Sequence, residues 1–365
     1  MKKLISIILT IVLALSLGST IAFAETGSNY ADTQLFIETT PCPQEYIEYA
    51  EENISGFVES YNEESVIYST ITVGTPFAFL DYEADVYYFP IICDGVIKYI
   101  FRVYPSQNNG FDAAMSSFLA AELEILASQT SVSTPLKLNR IGNDIVATVN
   151  NNKYVLFSYP EDMNDLSSQI STTATATIPV TTVVNSKADV GIDVEITTAS
   201  TYATNSWSYY IDLDITETQG SNSWCAAYCT STILRTLGYN STAEGVMSIF
   251  YRRPGVSDSI SREQVVTYAN SRGLNPIRVE STVAYETLRD DLRSNRPVYF
   301  SMTRTGGNHA VVLRGYNSRR STWSIWNPRF TSYETFSMGG TYVPTGYSSS
   351  THSYTYARTI YNWAP

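Results

Sequence analysis

Cys225 stands in Q-G-S-N-S-W-C-A-A-Y-C-T-S-T-I-L-R-T-L, residues 219–237, where an irregular polar segment gives way to helical spacing, with Gly238 placed to stop the helix. A thiol in the first turn of a helix meets unsatisfied N–H groups and the positive end of the macrodipole. Both favour the thiolate, which is the nucleophile. Such a thiol also needs a proton acceptor, a group to orient that acceptor, and donors for the oxyanion of a tetrahedral intermediate. The chain can supply all three. His309, one of only two histidines, lies in the strand-like run N-H-A-V-V-L-R-G-Y. Asn327 follows in W-S-I-W-N-P, where Pro328 biases it toward an extended backbone. Gln219, six residues before the thiol, can turn an amide N–H toward the oxyanion. His352, in S-S-S-T-H-S-Y, reads as a loop residue and the lesser candidate for a base, and Trp326 as a packing wall over Asn327. Cys229, one helical turn beyond Cys225, reads as a buried small apolar residue.

This set of residues resembles the papain-like cysteine peptidases, and within them the secreted bacterial staphopain-like branch, in which W-C-A precedes the helix and W-N-P carries the Asn. The resemblance covers roughly residues 200–365. It implies Cys225 as nucleophile, His309 as general base and acid, Asn327 as orienter of the imidazole and Gln219 as oxyanion donor. It calls for no cofactor and no metal, and for a protein or peptide substrate. The chain departs from papain in three ways: Trp224 precedes the thiol instead of following it, Pro328 rather than Ser follows Asn327, and 84 positions separate Cys225 from His309. Papain and the cathepsins place about 130 or more residues there, so the catalytic domain is expected to be pared down, with a cleft of its own shape.

Rival chemistries leave few marks. There is no H-E-x-x-H, and two histidines cannot make the usual multi-histidine zinc site. No G-x-S-x-G elbow occurs. Two alternatives stay open: a secreted Cys-His peptidoglycan amidase or endopeptidase, although no wall-binding repeat is visible, and a non-enzymatic surface-binding or inhibitor protein whose active module is the first half.

Lys2 and Lys3, an apolar run over 4–17 and Ala22-Phe23-Ala24 read as a secretory signal peptide over 1–24, with no stable membrane anchor after cleavage. The product is expected to be secreted and monomeric. About 340 residues remain, enough for two domains on a prior of about 100–200 residues each. Residues 1–200 carry 8 Lys+Arg against 24 Asp+Glu, residues 201–365 carry 15 against 11, and every basic residue after 200 is Arg. That asymmetry suggests electrostatic complementarity between the halves. The arginines are scattered among acids, which argues against nucleic acid as a partner. Of four cysteines, Cys42 and Cys93 are free to pair in an exported protein, but no spacing indicates that they do.

The periodicity predicts a helix over 43–61, strands over 66–73, 77–80 and 86–92, and an Asp94-Gly95 hairpin into a strand over 96–104. A second helix is predicted over 113–127 and strands over 136–138, 145–149 and 154–157. A Ser/Thr-rich stretch over 167–205 reads as an exposed junction, within which 183–184 or 190–196 can form an edge strand. Beyond it, a strand over 209–213 precedes the Cys225 helix. Two further helices follow, one with a Ser261/Gln264 capping box closed by Gly273 and one starting at Ser281 or Thr282. Strands are predicted over 298–302, 310–316, 322–326, around Phe336 and Met338, and over 358–363. The expected architecture is α+β: an acidic pro-region with an antiparallel sheet over 25–200, then a two-lobed catalytic domain over 201–365 with a helical lobe and an antiparallel sheet or half-barrel lobe. By the resemblance, the pro-region is an intramolecular partner whose removal activates the enzyme.

Overall fold

The computed structural model describes residues 35–62, 68–79, 85–106, 109–141, 144–158, 183–185, 192–193, 207–304, 307–343 and 353–365. Residues 1–24, read above as a signal peptide, His352 and most of the Ser/Thr-rich stretch lie outside them.

The first half opens with β1 (Ile37–Thr39) and α1 (Gln44–Tyr61), which buries Tyr46, Ala50, Ile54, Phe57 and Val58. β2 (Ile71–Val73) leads to β3 (Tyr87–Cys93) and β4 (Val96–Pro105). Asp94 and Gly95 between them have φ of 49° and 79°, the left-handed values a two-residue hairpin turn demands. β5 (Phe111–Ser116) precedes α2 (Phe118–Ala127), and β6 (Leu136–Ile141), β7 (Asp144–Val149) and β8 (Asn152–Ser158) form a meander. From the junction come two short edge strands, β9 (Val183–Asn185) and β10 (Ile192–Asp193), which pair with β1 and β2.

The second half begins with β11 (Ser208–Tyr210), α3 (Cys225–Thr236), α4 (Ala243–Phe250) and α5 (Arg262–Ser271). β12 (Ile277–Val279), α6 (Tyr285–Arg293), β13 (Val298–Arg304), β14 (Gly307–Asn317), β15 (Thr322–Trp326), β16 (Tyr333–Ser337) and β17 (Thr355–Tyr361) complete it. The fold is α+β, with six helices and two sheets among the described residues.

One predicted element is corrected and one helix was not predicted. Residues 113–117 are not helical: β5 is hydrogen-bonded to β4 on one side and β16 on the other, and that pairing overrides the helical preference of Ala113 and Ala114. The helix starts only after Ser117. α4 was not foreseen. It is eight residues long, has Gly245 in its first turn and leaves Ile249 exposed, so its periodicity is weak; the Thr242 side chain caps it by accepting from Gly245 N–H at 3.0 Å.

A five-stranded sheet has the order β8-β7-β6-β1-β9, with β1 and β6 parallel. The larger sheet runs β10-β2-β3-β4-β5-β16-β15-β14-β13-β17-β12, with β11 added on β14, and every pairing in it is antiparallel. β5 and β16 are therefore the seam between the halves, with Glu334 opposite Ser116 and Phe336 opposite Ala114.

At this seam Arg102 of β4 reaches Glu334 of β16, Nη2 to Oε1 at 3.2 Å, with both side chains buried. Burial, the largest single effect, disfavours the charge on Arg102, yet the facing Glu334 carboxylate together with Tyr342, Tyr104 and Tyr88 outweighs it and raises the guanidinium pKa. Removing one partner of such a pair strands the other charge, at a typical cost of about 3–5 kcal/mol. The polarity reverses the overall asymmetry, since the base comes from the acidic half. Arg320 with Glu59 runs the expected way, Nε to Oε2 at 2.7 Å.

Candidate active site

α3 starts at Cys225 itself, so its first-turn N–H groups and dipole bear on the thiol, which is partly exposed. The loop before it is tightly tied. Asn222 Oδ1 accepts from Trp224 N–H at 3.2 Å, Ser223 N–H donates to Val256 O at 2.7 Å, and Trp224 Nε1 donates to Gly255 O at 2.9 Å. The rest of α3 is held by Glu217, whose Oε1 accepts from Ser231 Oγ (2.8 Å), Arg235 Nη1 (2.7 Å) and the Ala243 N–H that opens α4 (2.8 Å).

His309 is the third residue of β14, opposite Met302 of β13, and is 6% exposed. Its Nε2 is 3.0 Å from Asn327 Oδ1. Asn327, immediately after β15, is fully buried; its Oδ1 also accepts from Arg329 N–H at 3.2 Å and its Nδ2 donates to Tyr342 OH at 2.8 Å. Trp326 is buried beside it, its indole N–H spent on Phe330 O at 2.8 Å, consistent with a packing wall. Gln219 N–H donates to Pro328 O at 2.6 Å, which fastens the loop before Cys225 to the loop that carries Asn327. The Gln219 amide gives one hydrogen to Asn222 O at 2.5 Å; a carboxamide carries two.

A cleft of about 760 Å³ is lined by Gln219, Cys225 and His309 together, with Ser261, Tyr299 and Arg304 on its walls. Its described lining residues fall between positions 219 and 354. The structure thus brings Gln219, Cys225 and His309 to one cavity and Asn327 behind His309.

The other thiols are set apart by their surroundings. None of the four cysteines is in a disulfide. Burial, with Glu45 adding to it, pushes Cys42 up to about 12, and burial with Asp94 pushes Cys93 up to about 12. Cys229 is fully buried, and burial plus the nearby Cys225 raise it well above the ordinary thiol range. Among the described residues no three His, Cys, Asp or Glu side chains are grouped as metal ligands would be.

Sequence reasoning missed Tyr342, which bonds Asn327, and the Glu334 and Arg102 behind it. No motif marks a residue that acts by accepting one hydrogen bond across a turn.

Residues 208–350 match the Peptidase_C39 like family. Staphopain A of Staphylococcus aureus (strain MRSA252) is 25% identical over 370 aligned residues, covering 88% of this chain and 90% of that protein. The chain is similar over most of its length to the staphopain-like cysteine peptidases. The extracellular cysteine protease of Staphylococcus epidermidis (strain ATCC 12228 / FDA PCI 1200) is 23% identical over 383 residues, with 90% and 92% coverage. The similarity to these proteins therefore extends into the first half as well as the cysteine-bearing half. No described helix is long and apolar enough to cross a membrane.

Proposed function

We propose that the chain is the zymogen of a secreted cysteine endopeptidase, with Cys225 as nucleophile, His309 as general base and acid, Asn327 as orienter of the imidazole and Gln219 as oxyanion donor. The observation that carries this reading is the convergence of Gln219, Cys225 and His309 on one cleft, with His309 Nε2 held 3.0 Å from Asn327 Oδ1. Helices α3 to α5 form one lobe and the strands from β13 to β17 the other, a papain-like layout with the reacting pair between lobes. Residues 25–200 are the pro-region and 201–365 the peptidase.

With Nε2 bonded to Asn327, His309 exchanges protons through Nδ1. The Cys225 proton passes to Nδ1, and Sγ attacks the scissile carbonyl carbon as the C=O electron pair moves onto oxygen. The second hydrogen of Gln219 Nε2 and the first-turn N–H groups of α3 receive the oxyanion, in a site where preorganised donors are worth more than in water. As the carbonyl re-forms, the C–N bond breaks and the leaving amine takes the Nδ1 proton. Water then attacks the thioester, giving a proton to His309, and Cys225 departs as thiolate.

The first half docks through the β5–β16 seam and through Phe118 and Phe157, whose rings lie 5.1 Å and 5.3 Å from that of Phe330 in the loop after Asn327. On this reading inhibition acts through the Asn327 loop, where these rings meet Phe330.

Incubation of the purified chain with an unstructured protein, with and without a thiol-directed inhibitor, tests the activity. Internal peptide bonds should be cut and terminal sequencing should find new α-amino ends, all suppressed by the inhibitor. Intact substrate, or cleavage that ignores the inhibitor, would count against a cysteine endopeptidase.

A further inference from the structure

The hydrogen bonds behind Asn327 form a line in which each member can point only one way. Arg102 has donors alone, and its Nη2 meets Glu334 Oε1 at 3.2 Å. Glu334 Oε2 accepts from the Tyr342 hydroxyl. A phenol has one hydrogen; with it spent on Glu334, the Tyr342 oxygen can only accept, and it does so from Asn327 Nδ2 at 2.8 Å. The amide is thereby turned with Oδ1 toward His309, an orientation the Arg329 N–H also supports at 3.2 Å. Oδ1 can only accept, so Nε2 of His309 must carry the hydrogen, and the lone pair of the neutral imidazole falls on Nδ1. Arg102, Glu334, Tyr342 and Asn327 are each 0% exposed, so water cannot substitute for a partner and reverse the order.

We propose that Tyr342 and Glu334 are positioning residues that set the tautomer of His309, and that Arg102 of the first half is the counter-ion that lets Glu334 do so while buried. The proposal rests on the reading of His309 as the base. Burial, then the Glu334 carboxylate, raise the Tyr342 phenol well above its ordinary range, so the hydroxyl keeps its hydrogen. Neighbouring contacts hold the line in place: Thr341 N–H donates to Asp112 Oδ2 at 2.8 Å, Tyr104 OH donates to Thr341 O at 2.6 Å, and Tyr342 pairs its backbone with Tyr354, whose ring lies 5.5 Å from that of His309. When the first half leaves, β16 becomes an edge and water takes the place of Arg102. A carboxylate accepts from water as it does from a guanidinium, so the direction of the relay survives activation.

A carboxylate is the one side chain that accepts at both ends here. In Glu334→Gln, the new NH₂ must face either Arg102, donor against donor, or Tyr342, which forces the hydroxyl toward Asn327 and opposes the amide orientation. Removing Arg102 as well lets the NH₂ turn away from Tyr342 and restores the original direction.

The test uses the full chain carrying Cys225→Ala, which prevents both self-cleavage and thiolate–imidazolium formation, with its histidines labelled in nitrogen-15. Only His309 and His352 report, and His352→Gln assigns them. Above the imidazole pKa, His309 should show at least about a tenfold excess of the Nε2–H tautomer. Glu334→Gln should bring the two tautomers near parity, Tyr342→Phe should reduce the excess, and Arg102→Met with Glu334→Gln should restore it. In chains that retain Cys225, Tyr342→Phe should lower kcat about tenfold with KM within about twofold, the signature of lost transition-state stabilisation. An Nδ1–H tautomer in the starting protein, or an unchanged Nε2–H excess in folded Glu334→Gln and Tyr342→Phe, overturns the relay. The tautomer measurement needs no catalysis, so a peptidase that survives His309→Ala would instead defeat the reading of His309 as base.

Discussion

Cys225→Ala should abolish peptide hydrolysis, by at least roughly 10⁴-fold in kcat, the scale of losing a covalent nucleophile, while Cys229→Ala should keep most of it. The two thiols are one helical turn apart on α3, but their surroundings differ sharply. Cys225 opens the helix at the cleft, whereas Cys229 is fully buried and held as a neutral thiol. Trading Cys229 for Ala removes one sulfur from a packed core, which costs stability of about 1 kcal/mol and leaves the cleft intact. Initial rates on an unstructured protein, alongside a thermal melt of each variant, check this. Comparable activity in the two variants would remove Cys225 from its role.

Cutting the junction between residues 167 and 206 and dissociating the first half should raise activity by at least about tenfold, the factor that 1.4 kcal/mol of masking gives. The cut alone should not suffice, because the halves share the β5–β16 ladder and the buried Arg102–Glu334 pair. Salt should weaken the association only in part. The Glu59–Arg320 pair is partly solvent-exposed and lies within reach of screening over a Debye length of about 8–10 Å, whereas the Arg102–Glu334 pair is shielded from ions by its burial. Rates of intact, nicked and separated protein at low and high salt give the measurement. Equal activity before and after separation would make the first half a binding module that stays attached rather than a pro-region.

What was legible in the chain were features carried by neighbours in sequence. The start of α3 at Cys225, the Asp94-Gly95 turn and the capping box at Ser261 and Gln264 all appear where local spacing put them. The four candidate site residues could be picked out by type and order, but only tertiary structure could bring Gln219 to Pro328, or His309 to Asn327. What was illegible depended on distant partners. Ala113 and Ala114 extend because β4 and β16 flank them, and Arg102 finds Glu334 across 232 positions of sequence. Residues 243–250 form a helix although Gly245 and exposed Ile249 blur its apolar face. The relay through Tyr342 was equally hidden, since its members share no motif and meet only once both halves of the large sheet are built.

The central claim, a Cys225 thiol activated by His309, is tested most directly by the pH profile of its alkylation. The environment of the protein makes the assay selective: burial holds Cys42 and Cys93 up to about 12 and Cys229 well above the ordinary range, so these three should stay unreactive near neutrality. Peptide-level mass spectrometry after a brief pulse of iodoacetamide should find Cys225 alone modified, at a rate that remains high well below the free-cysteine pKa of about 8.5. His309→Ala should slow that reaction at neutral and mildly acidic pH. A Cys225 profile with its midpoint near 8.5, indifferent to His309→Ala, would contradict the claim.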